Sequence, residues 1–165
     1  TIKKFRLGFA PAGNKIKEML DAKKVPIEQQ KELGVLYFPE EKGKHIHDYF
    51  RDRVMFPIFD KKGKAIAFGG RIIGEGDPKY LNSPVTSFYK KENILYGLNF
   101  ASEQARKRQT ILVVEGYMDV IAMHQAGSAI LKGNESLLIS RWLTNLETLL
   151  GIAALNLACV VNSVY

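Results

Sequence analysis

Cysteine is almost absent from this chain. The one copy, Cys159, excludes an internal disulfide and any zinc site built from cysteines in this segment, and a reducing, cytoplasmic setting is the natural reading. No apolar run reaches the roughly 20 residues that a membrane-spanning helix needs. The opening TIKKFRLG also lacks the apolar stretch of a signal peptide, so no membrane contact is expected. Aspartate disappears after Asp119, and the acids that follow are Glu135 and Glu147. That absence bears on any chemistry needing several carboxylates around a metal ion.

What is present looks like an ordinary globular protein: 46% of the 165 residues are hydrophobic and 25% charged. A chain of this length can bury one core, or two small lobes sharing an interface. The net charge of +7 is unevenly placed, with +8 in residues 1–91 and −1 in residues 92–165. Such asymmetry suggests a basic surface for a polyanion, although solvated lysines spread over a surface produce the same balance.

Residues 4–9 (KFRLGF) alternate enough to predict a short strand ended by Ala10-Pro11-Ala12-Gly13. Ile16, Met19 and Leu20 mark one face of a basic helix. A second helix is expected from Pro26 to Gly34, with Ile27 and Leu33 inward. Residues 39–47 read as a polar connection, and His45 and His47 alone are a poor metal site. Two antiparallel strands follow, about residues 53–59 and 64–73, joined by a turn at Asp60-Lys61-Lys62-Gly63. Pro57 places its strand at an edge or a bulge. Gly69-Gly70 before Arg71 reads either as a glycine bulge or as room for a phosphate backbone with Arg71 aimed at it. Residues 74–98 are poor in regular pattern and interleave Lys79, Tyr80, Phe88, Tyr89, Lys90 and Lys91. Cations for phosphates and ring faces for unstacked bases are what a single-stranded nucleic acid requires.

The centre of the chain is ILVVEGYMDVIAMHQAG, residues 111–127. Ile111 to Val114 read as a strand buried on both faces. Gly116 permits a tight strand-to-helix turn. Met118, Ile121, Ala122 and Gln125 then recur at helical spacing, up to Gly127. Glu115 stands at the carboxyl end of that strand, where open α/β sheets bind ligands. It is either a polar turn residue or a metal-binding or proton-handling acid. Asp119 falls in the first helical turn, where a negative charge is favourable. Farther on, a strand near residues 129–131, a helix over 136–150 with Leu138, Ile139, Trp142, Leu146 and Leu149 on one face, and a strand over 152–161 are expected.

FRDRVMFPI, AFGGR, PKYLNSP, FYKKENILYGL and LVVEGYMDVIA stand in this order, and together they resemble the bacterial replicative DNA primase family (DnaG type) over residues 5 to about 127. The resemblance implies an α/β fold: a mixed α+β basic N-terminal lobe over residues 1–100, then a partial TOPRIM βαβ lobe over 101–165. It implies a template-directed RNA polymerase that lays short RNA primers on single-stranded DNA from ribonucleoside triphosphates. Glu115 would be the TOPRIM glutamate that takes part in Mg²⁺-dependent (or Mn²⁺-dependent) catalysis, and Asp119 the acid of EGYMD. Arg51, Arg53, Arg71, Lys79, Tyr80 and Lys91 match positions for nucleotide and template binding, and Glu115 is expected to face the groove between the lobes, across from Arg71 and Lys79. The family also implies a replicative helicase and a single-strand-binding protein as partners, through modules not expected in this chain.

The family pattern has a second acidic element of the DxD type, and Asn162, Ser163 and Val164 stand where it would end the last strand. The expectation is a piece truncated, altered or out of frame after about residue 127 and catalytically compromised. The alternative is a non-catalytic single-stranded DNA-binding module derived from a primase.

Overall fold

The computed structural model describes residues 1–108, 110–114, 116–126, 130–132 and 156–159. Glu115, Gly127, the helix expected over 136–150 with its apolar face, and Asn162, Ser163 and Val164 lie outside the described residues. Two compact units make up this α/β chain. One comprises Ile2–Ile58 and Ala65–Lys91; the other comprises Thr1, Phe59–Lys64 and Glu92–Tyr165.

The first unit is built on a four-stranded sheet in the order β1-β4-β5-β6, from Gly8–Ala10, Arg53–Phe59, Ala65–Ile72 and Tyr80–Asn82. The expected strand over 4–9 is replaced by a helical turn α1 (Ile2–Phe5) and the short β1. Leu7 N–H donates to the Ile2 carbonyl at 3.0 Å, which closes the turn, and Phe5 is buried. Arg6 leaves it with φ 51°. The sequence 4–9 alternates, but burial of Phe5 holds its first half in a turn.

β4 and β5 are neighbours in the sheet, as the two predicted strands require. At their turn Asp60 Oδ1 accepts from Lys62 N–H (2.8 Å) and Lys64 N–H (2.9 Å), the local pattern that favours aspartate there. Pro57 lies past the last ladder pair between β1 and β4, Gly8 with Met55. It therefore faces no β1 residue, which is how a strand residue without an N–H is tolerated. Gly69 and Gly70 sit in a regular ladder, opposite Asn82 and Leu81, so the bulge is not there. Residues 80–82, expected without pattern, supply that fourth strand because β5 offers them an open edge.

Helices α2 (Lys15–Ala22) and α3 (Ile27–Glu32) and a two-stranded ribbon of β2 (Leu36–Tyr37) and β3 (His47–Asp48) complete this unit. Leu20, Val35 and Leu36 form one buried cluster, and Ala10, Phe50 and Met55 another; Phe68 packs against both. Ile27 and Leu33 do not face inward; they are 45% and 44% exposed. The buried residue of α3 is Gln30, whose amide donates to Asp21 Oδ1 (3.0 Å) and the Val25 carbonyl (2.9 Å). Local hydrogen bonding thus overrides the apolar pattern. Gly34 ends the segment at φ 62°, and a Cβ there would meet Thr86 Cγ2 at 2.8 Å.

In the second unit, β7 (Thr110–Val114) lies between β8 (Ile130–Lys132) and β9 (Asn156–Cys159) and is parallel to both. With α5 (Tyr117–Gln125) it makes the predicted β-α-β crossover. Helix α4 (Leu98–Arg108) packs on β7 and β8. The buried face of α5 is Tyr117, Val120 and Ile121, with Met118 46% exposed and Gln125 also exposed. The inward stripe is therefore shifted by one residue from the expected one. Tyr117 is drawn in by an edge contact with Tyr96, ring centroids 4.7 Å apart.

Candidate nucleic-acid interface

Arg71 and Tyr80 are direct partners across the β5–β6 ladder. Paired residues share a face of the sheet, and the Arg71 guanidinium stands 6.0 Å from the centre of the Tyr80 ring. A cation near a ring face is weakly attracted to it, which keeps both groups together at the strand's end. Both are exposed, as is Lys79 immediately before the strand. The motif residues Arg71, Lys79 and Tyr80 are thus brought to one place by register alone.

Arg51 and Arg53 part ways. Two residues apart on a regular strand they would share a face, but Asp52 between them has φ 52°, a left-handed conformation that aspartate tolerates better than most residues. The Asp52 carbonyl accepts from Ile73 N–H at 3.0 Å, which fixes the bend. Arg51 is exposed, whereas Arg53 is 5% exposed. Arg53 Nη1 donates to the carbonyls of Gly70 (3.3 Å) and Lys79 (3.4 Å). Burial lowers its proton affinity, though an arginine stays charged throughout the physiological range. The space beside Gly70 is taken by Phe50 and Arg53 themselves: a Cβ there would meet Phe50 Cδ1 at 2.8 Å and Arg53 Cδ at 3.0 Å. On that side of the strand, protein fills the gap that the sequence left open for a phosphate.

The loop after β6 divides its aromatics. Tyr89 is buried, and burial raises its pKa, whereas Phe88 is 63% exposed. Thr86 holds this turn, its Oγ1 accepting from the N–H groups of Phe88 (3.2 Å) and Tyr89 (3.0 Å). Lys91 is exposed at the start of a 3₁₀ turn over Lys91–Asn93.

Asp119 occupies the third position of α5, and its Oδ2 accepts from the N–H of Gly116, the residue that opens the helix, at 2.9 Å. Gly116 has φ −106° and ψ 155°, a conformation open to any residue. A Cβ there would come within 2.6 Å of Asp119 Oδ2, so any larger residue needs the carboxylate to move aside. Among the described residues, no group of three or more His, Cys, Asp or Glu could hold a metal ion, and no helix is long and apolar enough to cross a membrane.

Sequence reasoning missed Asp48. Its buried carboxylate accepts the N–H groups of Ile16 and Lys17, both at 2.8 Å, while its own N–H donates to Asn14 Oδ1 at 3.1 Å. This reciprocal cap joins residues about thirty positions apart, so no local signal marks it.

The chain matches the family model for the DNA primase catalytic core, N-terminal domain, over residues 1–102. The DNA primase of Pseudomonas aeruginosa is 48% identical over 124 residues, which is 74% of this chain and 18% of that protein. A solved DNA primase domain from the same organism superposes with a TM-score of 0.80 at 40% identity, covering 90% of this chain and 46% of that one. A DnaG primase catalytic domain bound to ssDNA superposes with a TM-score of 0.77 at 36% identity, covering 96% and 48%. The chain spans about a fifth of the length of the curated relatives it matches. A family match over the whole basic half, joined to a shared fold, means that the chain belongs to the DNA primase catalytic core family.

Proposed function

We propose that this chain is part of a DNA-templated RNA polymerase that makes primers on single-stranded DNA, and that its basic unit holds the template. The observation that supports this best is the exposed group of Arg71, Lys79 and Tyr80, set side by side by the β5–β6 register. The unit around it carries 16 Lys or Arg against 10 Asp or Glu. Phosphate contacts of this kind fix a strand's position without reading its sequence, which suits a copying enzyme. In this reading Arg51 and Lys91 add cations along the same path, Tyr80 and Phe88 offer ring faces, and ribonucleoside triphosphates are the second substrate.

Glu115 and Asp119 are the proposed catalytic acids, with Glu115 holding Mg²⁺ or Mn²⁺. Carboxylate oxygens suit such hard ions, and a bound ion would stabilise the attacking and leaving oxygens of phosphoryl transfer. Among the described residues no group of three or more His, Cys, Asp or Glu gathers for such an ion. Asp119 has a task that needs none: its carboxylate fixes the start of α5 directly after Glu115. The lobes of the proposal are residues 1–100 and 101–165, in a cytoplasmic replication setting. A replicative helicase and a single-strand-binding protein would engage other parts of the longer protein.

A second reading, single-stranded DNA binding without synthesis, is favoured by the lack of any aspartate after Asp119. Primer synthesis from ribonucleoside triphosphates on a single-stranded template, with Mg²⁺ or Mn²⁺, separates the two. Product that vanishes in Glu115→Gln supports the polymerase. Tight, salt-sensitive binding with no dinucleotide formed leaves the binding module.

A further inference from the structure

We propose that Arg53 is a positioning residue: it holds the backbone that presents Lys79, and does not itself touch nucleic acid. The inference rests on the template site described above. Arg53 is 5% exposed, and its Nη1 reaches the carbonyls of Gly70 and Lys79. Those carbonyls belong to the residues immediately before Arg71 and Tyr80, which are ladder partners. The guanidinium therefore bridges the two strands where β6 begins. At 3.3 and 3.4 Å both contacts are long for N–H···O bonds, but the donor is charged, which strengthens each of them.

The stem is held as firmly as the head. Gly70 leaves no side chain where Arg53 Cδ and the fully buried Phe50 ring pack. A phosphate seeking this guanidinium would have to displace that packing and compete with the two carbonyls that Nη1 already serves. Lys79 has the opposite need. Residues 73–79 are all exposed, so what locates the lysine is its own carbonyl, held by Ile72 N–H (3.0 Å) and Arg53 Nη1. Without the second donor, the Lys79 carbonyl keeps only the bond from Ile72 N–H among those two, and the loop end is held less firmly.

The test is a double-mutant cycle on the full chain, reading affinity for a fluorescein-labelled oligothymidylate. Arg53→Met keeps the stem and removes the donors. It is expected to weaken binding about as much as Lys79→Ala, and the double variant is expected to bind no worse than either single one. In the Lys79→Ala background, Arg53→Met should leave the salt dependence unchanged, since each lost phosphate contact otherwise reduces the single-strand slope by about 0.7. Unchanged binding in Arg53→Met overturns the proposal. So does a double variant whose loss is the product of the single losses, because Arg53 then makes its own contact. Should Arg53→Met fail to fold, Arg53→Lys is read in the same cycle. There too, a loss that multiplies with that of Lys79→Ala overturns positioning. Lys79→Ala without effect removes the template site itself, and the positioning role with it.

Discussion

Asp119 and Gly116 show how a residue's task can differ from the reason its type suggests. The aspartate sits in the first turn of α5, where dipole arguments alone would place it, yet its carboxylate also accepts the helix-opening N–H. Gly116 gives that carboxylate room. Gly116→Ala should push Asp119 off its donor and cost about 0.5–2 kcal/mol, the usual worth of a helix cap, seen as a lower melting temperature. An unchanged melting temperature would mean that the carboxylate finds another seat. At the template site, Lys79→Ala should weaken single-stranded DNA binding without altering the fold, since an exposed loop lysine adds little stability. Equal affinity in a titration would take Lys79 out of the site.

Among the elements, α2 depends on a distant partner. Its first turn is capped by Asp48 from β3, whose carboxylate is buried and takes two N–H groups. Asp48→Ala takes the cap from those half-buried donors, at a cost of about 0.5–2 kcal/mol, measurable by urea unfolding. Among the described residues, the charged pairs along helices and turns, such as Lys107 with Glu103 at 2.6 Å, are mostly exposed and add little by comparison.

Tyr96, beside Tyr117 in the second unit, gives that unit a pH dependence. Burial pushes its phenol well above the usual tyrosine range. An unfolded tyrosine releases its proton near pH 10 while the folded one keeps it, so the unfolded chain binds fewer protons above that pH. Stability from this group is full below about pH 10 and falls as pH rises beyond it. Tyr96→Phe should therefore unfold less readily than the wild type at alkaline pH, relative to the difference between them at neutral pH. Parallel unfolding curves at both pH values would rule that out.

For the molecule as a whole, the proposed template binding rests on charge placement. If Arg51, Arg71 and Lys79 each neutralise one phosphate, the logarithm of single-strand affinity should fall against log salt with a slope of about −2. A slope near zero in a salt titration would detach the basic half from the template.

Much of this was legible beforehand because it is local or periodic. The hairpin of β4 and β5 showed in its apolar runs and in the Asp60–Gly63 turn, and the β-α-β unit in a change of period after Val114. Ordered motifs sufficed for the family. Arg71, Lys79 and Tyr80 could be named from PKYLNSP and AFGGR, but only strand register sets them side by side. Tertiary structure alone decided that Arg53 turns inward and Arg51 outward, that Phe50 fills the space beside Gly70, and that Gln30 rather than Ile27 is buried. The first two depend on a single backbone angle or on atoms well apart in the chain, which composition and spacing do not encode; the third depends on an amide's hydrogen bonds, to which apolar periodicity is blind.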